Sequence, residues 1–211
     1  MAGYPVVLDV AALRALVVGG GAVTTRRVEG MVAAGAAPDV IAPQVSGGMT
    51  RLLAEFGLHH EDRPYRGGDA EGYRLVVAAT DAAEVNAAVA EDARRHGALV
   101  NIVDDPAGSD FVVPALLRQG EVIATVYSGG ASPRLATAIR DRLGAVVTPG
   151  LGRCAARLAV LREELHARWP DDEARRRAFW TSLVTEEFVD LALLGRDEEV
   201  ESRIEACLSR S

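Results

Sequence analysis

The segment that most constrains this chain is Leu16-Val17-Val18, which runs directly into Gly19-Gly20-Gly21 and then Ala22-Val23-Thr24. A short aliphatic run without polar alternation fits a strand buried on both faces, as in a covered parallel sheet. Glycines behind such a strand allow a tight turn into a helix, whose free N–H groups then point at whatever fills the turn. The alternation repeats. Residues 39–42 form the next strand, closed by Pro43, and residues 46–56 a helix with Met49, Leu52, Leu53 and Phe56 on one face. Residues 58–61 give a short strand, 73–79 a buried strand, 81–96 a helix and 99–103 a further strand. Strands and helices alternating at this spacing predict an α/β domain with a doubly wound parallel sheet.

At Phe111 the rhythm changes. Residues 112–117 and 121–127 read as strands joined by Arg118-Gln119-Gly120, a β-hairpin in place of another βα unit. Residues 132–143 follow as a helix with Pro133 in its first turn, where its missing N–H is no loss. From residue 151 apolar positions recur at helical spacing through Leu158, Leu161, Leu165 and Trp169, then Phe179, Trp180, Leu183, Phe188, Leu191 and Leu194. Pro170 and Gly195 mark the breaks. The expected layout is a sheet domain over residues 1–112, a small β-hairpin/helix element over 113–147 and a helical C-terminal domain over 148–211.

Composition narrows the functions such a chain can serve. The net charge of −7 and an aromatic content of 5% suit neither a phosphate backbone nor stacked bases, so no nucleic-acid partner is expected. All 23 basic residues are arginine, which excludes lysine Schiff-base chemistry and a lysine-dependent phosphate loop. No basic start leads a long apolar run, and no stretch approaches the roughly 20 apolar residues of a membrane span. A cytoplasmic location without a membrane partner is expected. Cys154 and Cys207 are packing residues, and no metal site is expected. His59 and His60, adjacent in a strand, face opposite ways and chelate one ion poorly.

Four loops carry the candidate chemistry. Gly19 and Gly21 let the backbone approach a pyrophosphate; Thr24 stands where a third glycine usually permits close helix packing. No acidic residue ends the second strand, where Ala42-Pro43-Gln44 stand, and no arginine is placed for a 2′-phosphate, so NAD is favoured over NADP. Thr80, at the carboxyl end of its strand, either touches a cofactor or, like Asp81, caps a helix. Asp104-Asp105-Pro106 is either a turn or a place where a partly desolvated carboxylate exchanges protons. Ser128-Gly129-Gly130, with Arg134 in the following helix, is an anion-friendly loop or a flexible one capped by Ser132.

Taken in order, VVGGGAV, AATD, NIVDDP, FVVPA and SGGASPRLA resemble the siroheme-synthase dehydrogenase/ferrochelatase family over essentially the whole chain. The resemblance implies a Rossmann-like domain and a homodimer formed through the hairpin region. It also implies NAD-dependent oxidation of precorrin-2 to sirohydrochlorin, catalysed with Asp104. By matching position, Gly21, Ala22 and Val23 line the pyrophosphate, Pro43 and Gln44 border the adenosine, and Ser128 lies near the tetrapyrrole. Gly129, Gly130, Arg134 and Arg118 are candidates to compensate its carboxylates. Some members also insert ferrous iron as a co-substrate, which the residues leave open. Gly108-Ser109-Asp110 departs from the family's usual pattern before the phenylalanine. The rival is a non-catalytic dinucleotide-sensing module, which accounts for the glycines alone.

Overall fold

The computed structural model describes residues 3–210 and resolves into two compact units, Met1–Val113 and Pro114–Ser211. In the first, β1 (Ala15–Val18), β2 (Asp39–Ile41), β3 (His60–Glu61), β4 (Leu75–Ala78) and β5 (Leu99–Ile102) pair in parallel in the order β3-β2-β1-β4-β5. Every residue of β1 and β4 is buried, because helices cover both faces. Val17, Val40 and Val77 meet Val28 of α1 (Ala22–Val32) and Met49 of α2 (Gly47–Phe56) on one face. Leu16, Val18, Val76 and Ala78 meet Val89, Ala90 and Ala93 of α3 (Ala83–Arg95) on the other. Period-two alternation in the strands sorts these residues.

Chain order reverses between β1 and β4, so the crevice that such sheets offer to ligands opens at the carboxyl ends of these two strands. Asp39 lies at the opposite edge. It accepts a hydrogen bond from the Tyr73 hydroxyl at 2.5 Å and pairs with Arg14 at 3.6 Å, so it ties down the amino ends of the strands. Phe56 is a correction to the expected apolar face of α2. It is 48% exposed, because the helix ends there at the left-handed Gly57.

The second unit holds β6 (Ala115–Gln119) and β7 (Val122–Val126), an antiparallel pair, followed by α4 (Pro133–Leu143). The hairpin turn differs from expectation. Arg118 and Gln119 belong to the ladder, opposite Ile123 and Val122, and the chain reverses at Gly120 and Glu121. A two-residue turn suits the twist of a hairpin, and it leaves Arg118 on the strand. A hairpin alone is marginal, and here it packs against α4 and the start of α5 (Pro149–Arg168). The tail continues as α6 (Glu173–Leu183), α7 (Glu186–Leu193) and α8 (Asp197–Arg210).

Thr148 starts α5: its hydroxyl accepts from the Leu151 N–H at 3.3 Å and donates to the Leu193 carbonyl at 3.0 Å. The tail core gathers Leu161, Leu165, Phe179, Leu183, Phe188 and Ile204 with Cys154 and Cys207. Each large side chain fully buried there contributes about 1.5–3 kcal/mol. Besides the expected breaks, the chain also leaves helix at Val184 and Thr185, where the Thr185 hydroxyl caps α7. Among the described residues no helix is long and apolar enough to cross a membrane.

Candidate functional site

The three glycines after β1 have three different reasons to be glycine. Gly19 has φ +123°, and a Cβ there would stand 2.4 Å from the Ala79 carbonyl oxygen. At Gly20 a Cβ would come within 2.0 Å of the Gln44 carbonyl oxygen, where the Ser46 N–H donates to the Gly20 carbonyl at 2.8 Å. Gly21 differs, because a Cβ there would meet nothing within 4 Å. The protein's own packing therefore requires the first two glycines, and the third opens onto unfilled space. Gly21 begins α1 without a side-chain cap, so the first-turn N–H groups of Ala22 and Val23 keep their partial positive charge for an anion. By contrast, side chains cap α2, α4, α5, α6 and α7. A backbone surface of this kind fits a dinucleotide pyrophosphate.

Thr24 stands at the third-glycine position of this turn. It is fully buried, and its hydroxyl donates to the Ala79 carbonyl at 3.3 Å. One hydrogen bond thus replaces the close contact a third glycine would make. On the adenosine side, Pro43 and Gln44 are exposed just beyond β2. Thr80 follows β4, but its hydroxyl lies within hydrogen-bonding distance of Asn86 Oδ1 (2.8 Å) and the Ala82 carbonyl (3.1 Å). Asn86 also donates to the Thr80 carbonyl at 3.0 Å and accepts its N–H. Neither Thr80 nor Asp81 caps α3; the cap position is Ala82, with no side-chain bond.

Past β5 the two carboxylates separate in role. Asp105 accepts from the Gly108 N–H at 2.9 Å and closes the turn. Asp104 has φ +65°, the one positive φ outside glycine among the described residues. Left-handed backbone is uncommon away from glycine, though aspartate tolerates it better than most, and such positions concentrate at functional sites. Of the two alternatives the sequence left open, the turn is what forms, and both carboxylates are exposed, with neither desolvated by burial. The Gly108-Ser109-Asp110 departure is structural. Ser109 is buried and accepts from the Ile102 N–H at 2.9 Å, and Asp110 accepts from Val100 at 2.9 Å and from Arg94.

Two residues that the sequence reading passed over lie on the α1 face of this sheet. Arg27 is half-buried, and its Nε is shielded from solvent with no hydrogen-bond partner. Burial pushes its pKa down, and the negative charge of Asp104 pulls it back up. Asn101 pairs with Val77 in the sheet and donates to the Phe111 carbonyl at 3.0 Å, but its buried Oδ1 accepts nothing. A signal was available. Arg27 falls three residues after Thr24 and beside Val28, a charged side chain at the margin of an apolar helix face.

In the second unit Ser128 closes its own loop. Its hydroxyl donates to the Ser132 carbonyl at 2.9 Å and accepts the Ser132 N–H at 3.2 Å. Ser132 caps α4 through the Leu135 N–H at 3.2 Å. Gly129 and Gly130 have φ +68° and +83° and are exposed. Arg134 is exposed in the first turn of α4; Arg118, half-buried, lies on the hairpin face with Leu116 and Ile123. Among the described residues neither arginine forms an ion pair, and no group of three or more His, Cys, Asp or Glu could hold a metal ion.

Comparison with known proteins bears on the same residues. Residues 6–115 match an NAD(P)-binding family, and residues 150–208 match the sirohaem synthase dimerisation region. The chain is 39% identical over 207 residues to the siroheme synthase of Chromobacterium violaceum, covering 96% of this chain and 44% of that protein. It is 39% identical over 197 residues to that of Methylococcus capsulatus, covering 93% of this chain and 41% of that protein. The chain thus spans less than half the length of these curated relatives. Among solved structures, SirC, a precorrin-2 dehydrogenase, superposes with a TM-score of 0.78 at 26% identity, covering 97% of this chain and 100% of that one.

Proposed function

Because the chain belongs to the siroheme-synthase dehydrogenase/ferrochelatase family, an NAD(P)-binding domain followed by a sirohaem synthase dimerisation region, we propose that it oxidises precorrin-2 to sirohydrochlorin with NAD. The observation that carries the reading is Gly21, whose lack of a side chain serves no internal packing and whose helix is left uncapped. When bound, NAD supplies the acceptor for a hydride leaving the macrocycle. Gly19, Gly21, Ala22 and Val23 hold its pyrophosphate; Pro43 and Gln44 border its adenosine. Thr80 contributes by fixing the β4–α3 loop, since its hydroxyl is engaged there.

Asp104 is the proposed base. Its carboxylate is exposed and accepts no hydrogen bond among the described residues, so its lone pairs are available to the proton that leaves the ring system. Aromatic conjugation supplies much of the driving force, so the protein mainly has to align donor and acceptor. Ser128, Gly129, Gly130, Arg134 and Arg118 are assigned to the substrate's carboxylates, with the two unpaired arginines as the natural anchors.

We assign a homodimer to the same reading. Leu116, Ile123, Leu135 and Ile139, 39%, 37%, 52% and 41% exposed, form apolar surface on the hairpin and α4 that a second copy would cover. The division into residues 1–112, 113–147 and 148–211 is proposed on this basis. A cytoplasmic location suits the reduced thiols of Cys154 and Cys207, both buried.

The test is anaerobic incubation with precorrin-2 and NAD. Wild type should generate the sirohydrochlorin spectrum with one NADH per turnover, and Asp104→Ala should bind NAD normally and lose most of the rate. Tight NAD binding without spectral change in the wild type would return the dinucleotide-sensing module. Ferrous-iron insertion, with iron as a substrate, is a separate activity. It is decided by supplying sirohydrochlorin and ferrous iron without NAD and comparing the rate with the uncatalysed one.

A further inference from the structure

The Ser128 hydroxyl is spent inside its own loop, on both the carbonyl and the N–H of Ser132. What the loop leaves open is its backbone. The Ala131 N–H donates to the Ser128 carbonyl at 3.1 Å and closes a four-residue turn whose central residues, Gly129 and Gly130, have φ +68° and +83°. A turn of this kind leaves both central N–H groups out of the bond that closes it, and here neither finds a partner among the described residues. Unpartnered N–H groups from successive residues of a turn suit an anion.

A third donor stands beside them. Tyr127, one residue past β7, brings its phenol back to the turn: a Cβ at Gly130 would lie 3.8 Å from the Tyr127 hydroxyl oxygen. The residue is 39% exposed, and its hydroxyl makes no hydrogen bond among the described residues. Elsewhere in the chain Tyr65 donates to Asp92 and Tyr73 to Asp39, so the phenols that the fold encloses are matched with carboxylates. A hydroxyl bonded to a carboxylate makes roughly twice as strong a bond as one between neutral groups. The segment Tyr127–Arg134 contains no acidic residue, so the loop offers its phenol no such partner of its own.

We propose that Tyr127 is a substrate-binding residue: its hydroxyl donates to the tetrapyrrole carboxylate that the N–H groups of Gly129 and Gly130 receive, while Ser128 keeps the loop in shape. The inference rests on the oxidative reading for the identity of the ligand. Tyrosine suits the place, since its ring gives apolar area to a flat macrocycle, its tip gives a donor to the acidic periphery, and only two torsions have to be fixed.

The experiment compares Tyr127→Phe and Ser128→Ala with the parent chain. It reads anaerobic titration with sirohydrochlorin in the absence of NAD, calorimetric NAD binding, thermal unfolding and precorrin-2 oxidation. Tyr127→Phe removes one oxygen and keeps the ring. It should weaken sirohydrochlorin about tenfold, the loss expected for one hydrogen bond to a charged group. KM for precorrin-2 should rise by a similar factor with kcat within about threefold, NAD affinity should stay within about twofold, and the unfolding midpoint within about 1 °C. Ser128→Ala should instead lower the midpoint by about 3 °C or more, because both bonds to Ser132 go. Equal sirohydrochlorin affinity in Tyr127→Phe and the parent would overturn the inference and leave the oxidative reading untouched. So would a lower unfolding midpoint at unchanged sirohydrochlorin affinity, which would make the phenol structural. If the parent binds sirohydrochlorin without oxidising precorrin-2, and Tyr127→Phe weakens that binding, the oxidative reading fails and the Tyr127 contact stands. A parent chain that binds no tetrapyrrole overturns both.

Discussion

The two glycine-rich loops look alike in the sequence and are built on opposite principles. In the loop after β1, backbone presses on backbone: the positions where Cβ atoms would sit at Gly19 and Gly20 are already taken by the carbonyls of Ala79 and Gln44. In the loop before α4, Gly129 has nothing within 4 Å, and the loop holds its shape through left-handed backbone and the paired bonds between Ser128 and Ser132. The first loop is packed against the core at Gly19 and Gly20 and becomes exposed from Gly21 into the first turn of α1. The second is surface throughout. A glycine can thus report close packing, backbone conformation or room for a ligand, and these demand different tests.

Gly20→Ala should have the largest effect. With backbone atoms of Gln44 and Val45 in the way, relief requires moving the β2–α2 loop, at a cost on the order of 3 kcal/mol in denaturant unfolding. A loss near zero would break the contrast, since the loop would then be as loose as its counterpart. Gly21→Asp comes next and should act on binding rather than stability. The unfolding free energy should stay within about 0.5 kcal/mol, and a carboxylate at the helix start should weaken NAD by about a hundredfold. Unchanged affinity would remove the pyrophosphate from that turn. Gly129→Ala should have the smallest effect, about 1–2 kcal/mol of unfolding free energy for an alanine in left-handed backbone. A loss as large as that of Gly20→Ala would show that this loop, too, is packed against something.

Much of the first unit was legible because its physics is local. Uninterrupted aliphatic runs such as Leu75–Ala78 can hardly lie anywhere except inside a covered sheet, and Ser46 and Ser132 do cap the helices they precede. The hairpin turn was misplaced by two residues, because Arg118 and Gln119 are polar enough to suggest a turn, and cross-strand partners, invisible in the local sequence, keep them in the ladder. Thr24 read as an imperfect glycine because its acceptor, the Ala79 carbonyl, is 55 residues away. Asp104 and Asp105 were set apart only by the family resemblance, and the fold separates them by backbone and bonding: Asp104 is left-handed, while Asp105 accepts the Gly108 N–H.

The sequence by itself determined the parallel sheet, the glycine turn at its switch point, the hairpin that interrupts the alternation and the helical tail, since periodicity and turn chemistry act over a few residues. Only the tertiary structure decided which glycine is free, that the Thr80 hydroxyl is engaged within its own loop, and that Arg27 is half-buried with its Nε shielded from solvent. Those outcomes depend on which distant backbone or charge the fold brings alongside, and electrostatics and close packing act through space without regard to position along the chain.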